Sequence, residues 1–169
     1  QMWAAQYYPF KKPRKFLTSA GLGTMGFGLP AAIGASLANP GKPVICISGD
    51  GSILMNLQEL AVLSEEKADV KVLILNNGHL GLVRQQQELF YEKNYIATKF
   101  TCNPDFTRIA EGFGIESCDL SKASSPKDAL KKALARKGPY LVNIPIDALE
   151  SVVPMVIPGR GNHEMIGDG

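Results

Sequence analysis

The feature that most constrains the fold is a pair of short apolar runs, each followed directly by polar turn formers. The first run, VICIS at 44–48, leads into Gly-Asp-Gly at 49–51, and the second, VKVLIL at 70–75, leads into Asn76 and Asn77. Largely apolar runs of β-branched residues and leucine are typical of strands buried on both faces of a parallel sheet. The sequence therefore predicts two buried strands whose carboxyl ends both carry polar residues.

A helical pattern joins the two runs. From Ser52, a suitable N-cap, to about Lys67 the apolar residues recur at helical spacing, at Ile53, Leu57, Leu60 and Ala61. A strand, a helix and a strand within about thirty residues form a βαβ unit, whose strands lie parallel and adjacent or nearly so.

The same alternation continues along the chain. Helices are expected at 25–39, 80–95, 104–114 and 125–138, and further strands at 115–120 and 140–147. This order predicts an α/β fold with a doubly wound, mainly parallel sheet and helices on both faces. The domain is expected to span 1–153, and a tail rich in Gly and Pro at 154–169 is expected to leave the core and cover another part of the protein.

Composition excludes several other classes of protein. The chain has 169 residues and a net charge of +2, and its basic cluster KKPRK at 11–15 is too short to indicate nucleic-acid binding. No run approaches the roughly 18 apolar residues of a membrane span, and no signal-peptide layout is seen, so a cytoplasmic protein is expected. The three cysteines lack metal-binding spacing, and Cys46 is expected in the core. Because the chain opens on Gln1, a fragment or processed subunit is expected.

The two polar clusters point to a ligand site, because doubly wound sheets bind ligands at the carboxyl ends of their strands. Gly49 and Gly51 allow close approach of the backbone, and a helix beginning at Ser52 directs free amides and its positive dipole end to the same place, which favours a phosphate. Asp50 beside a phosphate requires a cation, usually Mg²⁺. Asn77 and a carbonyl just after it can add neutral oxygen ligands. The sequence therefore predicts a diphosphate and magnesium site.

Each motif alone is also an ordinary turn, and only their crossover spacing after two buried strands favours a site. The first motif is not a phosphate-binding loop of the Walker A type, because no Gly-Lys-Ser/Thr follows. It is not a dinucleotide-binding motif either, because the second strand ends in Asn instead of an acidic residue.

The stretch GDGSILMNLQELAVLSEEKADVKVLILNN resembles the signature of thiamine diphosphate enzymes. Three further segments, QMWAAQYYPFKKPRKFLTSAGLGTMGFGLPAAIGA, QQQELFYE and PMVIPGRGNHEMIGDG, are similar to the C-terminal third of the catalytic subunits of the acetohydroxyacid synthase (acetolactate synthase) family. The resemblance covers nearly the whole chain. It implies the thiamine diphosphate-binding fold, in its diphosphate-type domain.

The resemblance implies roles for individual residues. Asp50, the side chain of Asn77 and the main-chain carbonyl of His79 would hold Mg²⁺ together with the cofactor diphosphate, to which Gly51 and Ser52 would donate their amides.

The other end of the cofactor is assigned in the same way. Gly23 would accept a hydrogen bond from the pyrimidine amino group, and Met25 would wedge the cofactor into a bent shape, so that the cofactor's own nitrogen acts as the base. Gln86 would line the substrate approach. The residues that would close over the site are Gly81, Leu82 and Val83.

Other interpretations of these residues remain open. Met25, at the start of a predicted helix, also fits a core position, and the imidazole of His79 could act as an acid or base. The glutamines at 85–87 also fit an exposed helix face. Many family members have Trp in place of Gln86, which puts in doubt a preference for 2-ketobutyrate and sensitivity to sulfonylurea-type herbicides.

The implied enzyme decarboxylates pyruvate on thiamine diphosphate and joins the two-carbon unit to pyruvate or 2-ketobutyrate, in branched-chain amino acid biosynthesis. Its activating glutamate and its FAD site are expected on domains outside this chain, which is expected to be inactive alone and not to bind FAD. A homodimer or higher oligomer, a small regulatory subunit and, in a plant, a plastid location are also implied. The alternatives are the diphosphate-domain subunit of another thiamine diphosphate decarboxylase and a non-catalytic module that senses a phosphorylated ligand.

Overall fold

Four parallel strands form the central sheet in the computed structural model, which describes residues 1–167. Their order across the sheet is β1-β2-β4-β3, and every neighbouring pair is parallel. The strands are β1 (Val44–Gly49), β2 (Val70–Asn76), β3 (Glu116–Asp119) and β4 (Tyr140–Pro145). The predicted strands and their parallel arrangement are confirmed.

Seven α-helices are found within residues 1–167: α1 (Met2–Tyr7), α2 (Gly28–Leu37), α3 (Asp50–Ile53), α4 (Leu60–Glu65), α5 (Gly81–Phe90), α6 (Phe106–Gly112) and α7 (Pro126–Ala135). Two of them begin at the caps that their sequences favour. Ser125 accepts a hydrogen bond from the amide of Asp128, and Asp105 accepts bonds from the amides of Thr107 and Arg108. These caps fix where α7 and α6 begin, on either side of β3.

Helices cover both faces of the sheet, as predicted. Side chains alternate between faces along each strand, so Leu141 and Val142 of β4 enter different clusters. The larger cluster packs α2, α4 and α6 against one face, and the smaller cluster packs α7 against the other. Cys46 lies in the larger cluster, as expected, and burial raises the pKa of its thiol to about 12.

The crossover between β1 and β2 differs from the single helix predicted from Ser52 to Lys67. It consists of the one-turn helix α3, a 3₁₀ turn at Leu57–Glu59 and then α4. The N-cap of α3 is Gly49, so the prediction of Ser52 as the N-cap was wrong. Side chains from the broken segment bind the main chain of Gly26 instead: the hydroxyl of Ser52 accepts from its amide at 3.0 Å, and Asn56 donates to its carbonyl at 3.0 Å. Such side-chain bonds compete with a continuous helix.

After β4 the chain forms a small antiparallel ribbon of two strands, β5 (Met155–Val156) and β6 (Met165–Ile166). This ribbon lies within the predicted tail, of which residues 168 and 169 lie outside the described part of the chain. None of the helices in residues 1–167 has the length and apolar character needed to cross a membrane.

The two neighbouring residues Leu63 and Val62 of α4 offer a test of this packing, because Leu63 is fully buried and Val62 is exposed. We expect Leu63→Ala to lower the free energy of unfolding by about 2–5 kcal/mol, since it leaves a cavity under the helix. The matched change Val62→Ala should alter it by no more than about 0.5 kcal/mol. Urea unfolding measures both, and equal losses would contradict the burial of Leu63.

Candidate functional site

Asp50 links the carboxyl ends of β1 and β2. It follows Gly49, which lies opposite Leu75 in the parallel register, and it is only 2% exposed. One carboxylate oxygen accepts from the amide of Gly51 at 3.0 Å, and the other accepts from the amide of Gly78 at 2.7 Å. The carboxylate therefore fastens the turn after β2 to the end of β1.

The electrostatic surroundings of Asp50 are unusual for a carboxylate that is almost fully buried. Burial raises its pKa, whereas the hydrogen bonds from the amides of Gly51 and Gly78 lower it. Among the ion pairs of residues 1–167, none includes Asp50. Burying an unpaired charge costs free energy, which a bound cation would offset. The chemistry of this position therefore suits a cation.

The turn after β2 carries the two other predicted ligands. Gly78 adopts φ +67°, a conformation that favours glycine, and the side-chain oxygen of Asn77 accepts from the amide of His79 at 3.0 Å. The Nδ1 atom of His79 lies 2.9 Å from the carbonyl oxygen of Asn77. Because a carbonyl only accepts, Nδ1 carries the proton and the imidazole is held by its own turn.

The two glycines beside Asp50 have different surroundings. A Cβ atom at Gly51 would lie 2.7 Å from Leu80 Cδ2, 3.1 Å from Phe100 Cζ and 3.5 Å from Met25 Cε. A Cβ atom at Gly49 would have nothing within 4 Å among the described residues. Side chains of the protein thus pack closely over Gly51, whereas Gly49 faces open space within the described structure, although the sequence suggested ligand approach at both.

The loop before α2 reaches the site through Met25. Its side chain is partly exposed, and its tip packs beside Gly51, so the structure brings these two predicted residues together. Gly23 and Gly26 in the same loop adopt φ +62° and +85°. The amide of Gly26 donates to Ser52 and its carbonyl accepts from Asn56, and these two bonds fasten the loop to the crossover.

Helix α5 begins against Asn77. A Cβ atom at Gly81 would clash with the side-chain nitrogen of Asn77, so only glycine fits there without moving the amide. The next two residues, Leu82 and Val83, are exposed, and Gln86 is partly buried. The beginning of α5 therefore lies beside Asn77 in the turn after β2.

One residue of α5 contradicts the alternative in which the three glutamines form an exposed face. Gln85 is 2% exposed, and its side chain makes two bonds with the main chain of Val152. It donates to the Val152 carbonyl at 2.9 Å and accepts from the Val152 amide at 2.8 Å. The neighbouring Arg84 is also buried, pairs with Glu88 at 2.7 Å and donates to the carbonyl of Leu149 at 3.4 Å. This attachment could not be predicted from the sequence, because a polar helix segment carries no local signal of a distant main-chain partner.

The described residues contain no group of three or more His, Cys, Asp or Glu side chains able to hold a metal. A site at Asp50 would therefore rest on one carboxylate together with amide and carbonyl oxygens. Such a hard-oxygen set, completed by phosphate, suits Mg²⁺ better than a transition metal.

The chain belongs to the thiamine pyrophosphate enzymes, since the family model described as "Thiamine pyrophosphate enzyme, C-terminal TPP binding domain" matches residues 1–144. This match confirms the predicted family, the doubly wound fold and thiamine diphosphate as the cofactor of the domain.

Within that class the chain is similar to acetolactate synthases. It is 55% identical over 168 residues to the acetolactate synthase isozyme 1 large subunit of Escherichia coli (strain K12), covering 99% of this chain and 30% of that protein. It is 48% identical to the isozyme 2 large subunit of the same organism, over 98% of this chain and 30% of that protein. It is 51% identical to acetolactate synthase 1, chloroplastic, of Oryza sativa subsp. japonica, over 100% of this chain and 27% of that protein. The chain thus spans about 30% of the length of these curated relatives.

The pair of hydrogen bonds between Gln85 and Val152 can be tested by making the same substitution in two separate variants, at position 85 and at position 86. Gln85→Glu removes the donor to the Val152 carbonyl, and we expect it to lower the free energy of unfolding by about 1–3 kcal/mol. Gln86 makes no side-chain hydrogen bond within residues 1–167, so Gln86→Glu should change stability by about 0.5 kcal/mol or less. Thermal unfolding of both variants is the measurement. A loss of the same size at Gln86 would show that charge on α5, not the lost bond, is responsible.

Proposed function

We propose that this chain is the diphosphate- and magnesium-binding part of an acetolactate synthase. The observation that carries the proposal is Asp50, a buried carboxylate that forms no ion pair within residues 1–167 and accepts a hydrogen bond from the turn after the next strand. The similarity of the whole chain to acetolactate synthase large subunits supports the choice of enzyme. The substrates proposed are pyruvate and, as the second acceptor, pyruvate or 2-ketobutyrate.

The residues present fit a magnesium ion. Asp50, the side-chain oxygen of Asn77 and the carbonyl oxygen of His79 would be the protein ligands. Among the main-chain hydrogen bonds described for residues 1–167, none ends on the carbonyl of His79, which leaves that oxygen available. One charged and two neutral oxygens leave room for phosphate and water, as Mg²⁺ requires.

The diphosphate would lie beside Gly49, where the backbone is open. Gly51 and Ser52 would donate their amides, although in this structure the Gly51 amide also donates to Asp50. Because α3 has only four residues, these individual amides matter more than a helix dipole.

The remaining residues of the site would orient the organic part of the cofactor. When bound, thiamine diphosphate supplies the stabilisation of carbanions on which decarboxylation depends. The carbonyl of Gly23 would accept from the pyrimidine amino group, and Met25, beside Gly51, would support the bent shape. Gln86 would line the substrate approach, and the first turn of α5, residues 81–83, would close over the site and exclude water.

Several wider features are proposed on the same basis. Residues 1–153 would form the cofactor domain and 154–169 a covering tail. The activating glutamate and FAD would belong to other domains of a longer, cytoplasmic or plastid enzyme, so that this chain alone has no sustained activity. A homodimer or higher oligomer, with or without a small regulatory subunit, completes the proposal.

Replacing Asp50 by Ala in the complete enzyme tests the metal site. We expect Mg²⁺-dependent binding of thiamine diphosphate to fall by more than the roughly 10- to 100-fold typical of changes outside the ligand sphere. Isothermal calorimetry measures this affinity, and Glu65→Ala, which removes an exposed carboxylate from α4, is the control expected to bind normally. Undiminished affinity in Asp50→Ala would refute the metal assignment.

Replacing Gly81 by Ala tests the position of Asn77. The added methyl group must displace the Asn77 amide, so we expect Mg²⁺ affinity to fall about 10-fold or more while the helix is retained. Gly34→Ala is the matched control, because Gly34 lies in α2 and a Cβ atom there meets nothing within 4 Å in the described structure. Isothermal calorimetry measures the Mg²⁺ affinity of both variants in the complete enzyme. An unchanged affinity in Gly81→Ala would indicate that Asn77 is not a ligand.

A further inference from the structure

A row of side-chain hydrogen bonds crosses three neighbouring strands at the carboxyl edge of the sheet. Asn76, the last residue of β2, donates from its amide nitrogen to the side-chain oxygen of Asn143 in β4 at 3.0 Å. Asn143 donates in turn to a carboxylate oxygen of Asp119, the last residue of β3 and its partner in the strand register, also at 3.0 Å. None of these residues is among the predicted ligands of the cofactor or metal.

The carboxylate at the end of the row sets the direction of each bond. Burial alone would raise the pKa of Asp119, but hydrogen bonds from Ser121 and Asn143 outweigh it and hold the pKa below its usual value. Asp119 is therefore ionised and only accepts. Its other oxygen already accepts from the amide and the hydroxyl of Ser121, at 2.8 and 2.7 Å. Asn143, which is 7% exposed, must consequently turn its NH₂ group toward Asp119 and its oxygen toward Asn76.

The direction of these hydrogen bonds decides which end of the Asn76 side-chain amide faces the turn after β2. With its NH₂ group committed to Asn143, Asn76 presents its oxygen to the amide of Gly78 at 3.3 Å and to the side chain of Asn103 at 2.6 Å. The Gly78 amide thus lies between two acceptors, Asn76 and Asp50. If the Asn76 amide were reversed, its NH₂ group would face the main-chain amide of Gly78, which can only donate.

We propose that Asp119, Asn143 and Asn76 are positioning residues that orient the turn at 76–79 for cation binding. The proposal rests on the proposed magnesium site, to which that turn would supply Asn77 and His79. Asp119 acts at a distance of two strands, because an acceptor that cannot donate fixes the orientation of both amides between it and Gly78.

The first arm of the test uses Asp119→Asn in the complete enzyme, with Mg²⁺ titrated by calorimetry at saturating thiamine diphosphate. If the new side-chain amide at position 119 keeps its oxygen on the Ser121 amide, its NH₂ group faces Asn143, and the amides of Asn143 and Asn76 must both reverse. We expect Mg²⁺ affinity to fall about 10- to 100-fold. Asn143→Asp places a carboxyl group against Asp119, which should lower the melting temperature, but its oxygen still accepts from Asn76, so Mg²⁺ affinity should stay within about threefold of wild type.

The second arm moves the carboxylate from β3 to β4. In the double variant Asp119→Asn with Asn143→Asp, the new carboxylate accepts at once from the side-chain amide at position 119 and from Asn76, which restores the orientation of Asn76. We expect Mg²⁺ affinity to return to within about threefold of wild type, even if burial of the carboxylate lowers the melting temperature of the cofactor-free protein. A role in stability alone predicts the opposite, with losses of affinity that follow the melting temperature.

A matched control is Asp105→Asn. Asp105 accepts from the amide of Thr107 as Asp119 does from Ser121, but it lies outside the row, so the Mg²⁺ affinity of this variant should not change. Wild-type affinity in Asp119→Asn, or a double variant weaker than both single variants, would overturn the positioning role. Failure of the proposed function is distinguishable, because Asp50→Ala would then bind Mg²⁺ as well as wild type does.

Discussion

The arrangement of the site depends on one buried carboxylate that holds two strand ends together. Asp50 can accept from the turn after β2 only because β1 and β2 are parallel neighbours in a register that places Gly49 opposite Leu75. Leu80 and Phe100 pack over Gly51, whereas a Cβ atom at Gly49 would meet nothing within 4 Å in the described part of the chain. The protein therefore tolerates an unfavourable burial at the place where a bound cation would offset it.

Helix α5 connects this site to the segment that follows β4. Its first turn packs against Asn77, and further along the helix its buried polar residues hold the main chain at Leu149 and Val152. Helix α1 reaches the same segment, since Gln6 and Tyr7 donate to the carbonyls of Pro154 and Val153. Contacts to the main chain at 149–154 thus connect α1 and α5 to the segment that leads into the C-terminal ribbon.

Much of this arrangement could be predicted from the sequence, because buried parallel strands leave a clear pattern of apolar runs and polar ends. The two strands of the crossover, their adjacency and the edge that carries Asp50 and Asn77 follow from that pattern. The continuous helix after Ser52 was wrong, because the partner of that side chain is Gly26, 26 residues earlier in the chain. The burial of Gln85 was missed for the same reason, since Val152 lies 67 residues further on. Helical periodicity reports local geometry and carries no record of such distant partners.

The pair of bonds between Gln85 and Val152 has a consequence for motion. The Gln85 side chain donates to the carbonyl of Val152 and accepts from its amide, so it pairs with Val152 as a residue of a neighbouring antiparallel β-strand would. Separation of Val152 from α5 would leave four polar groups without these partners, two on the main chain and two on the glutamine, so the pair resists movement of this segment away from the helix.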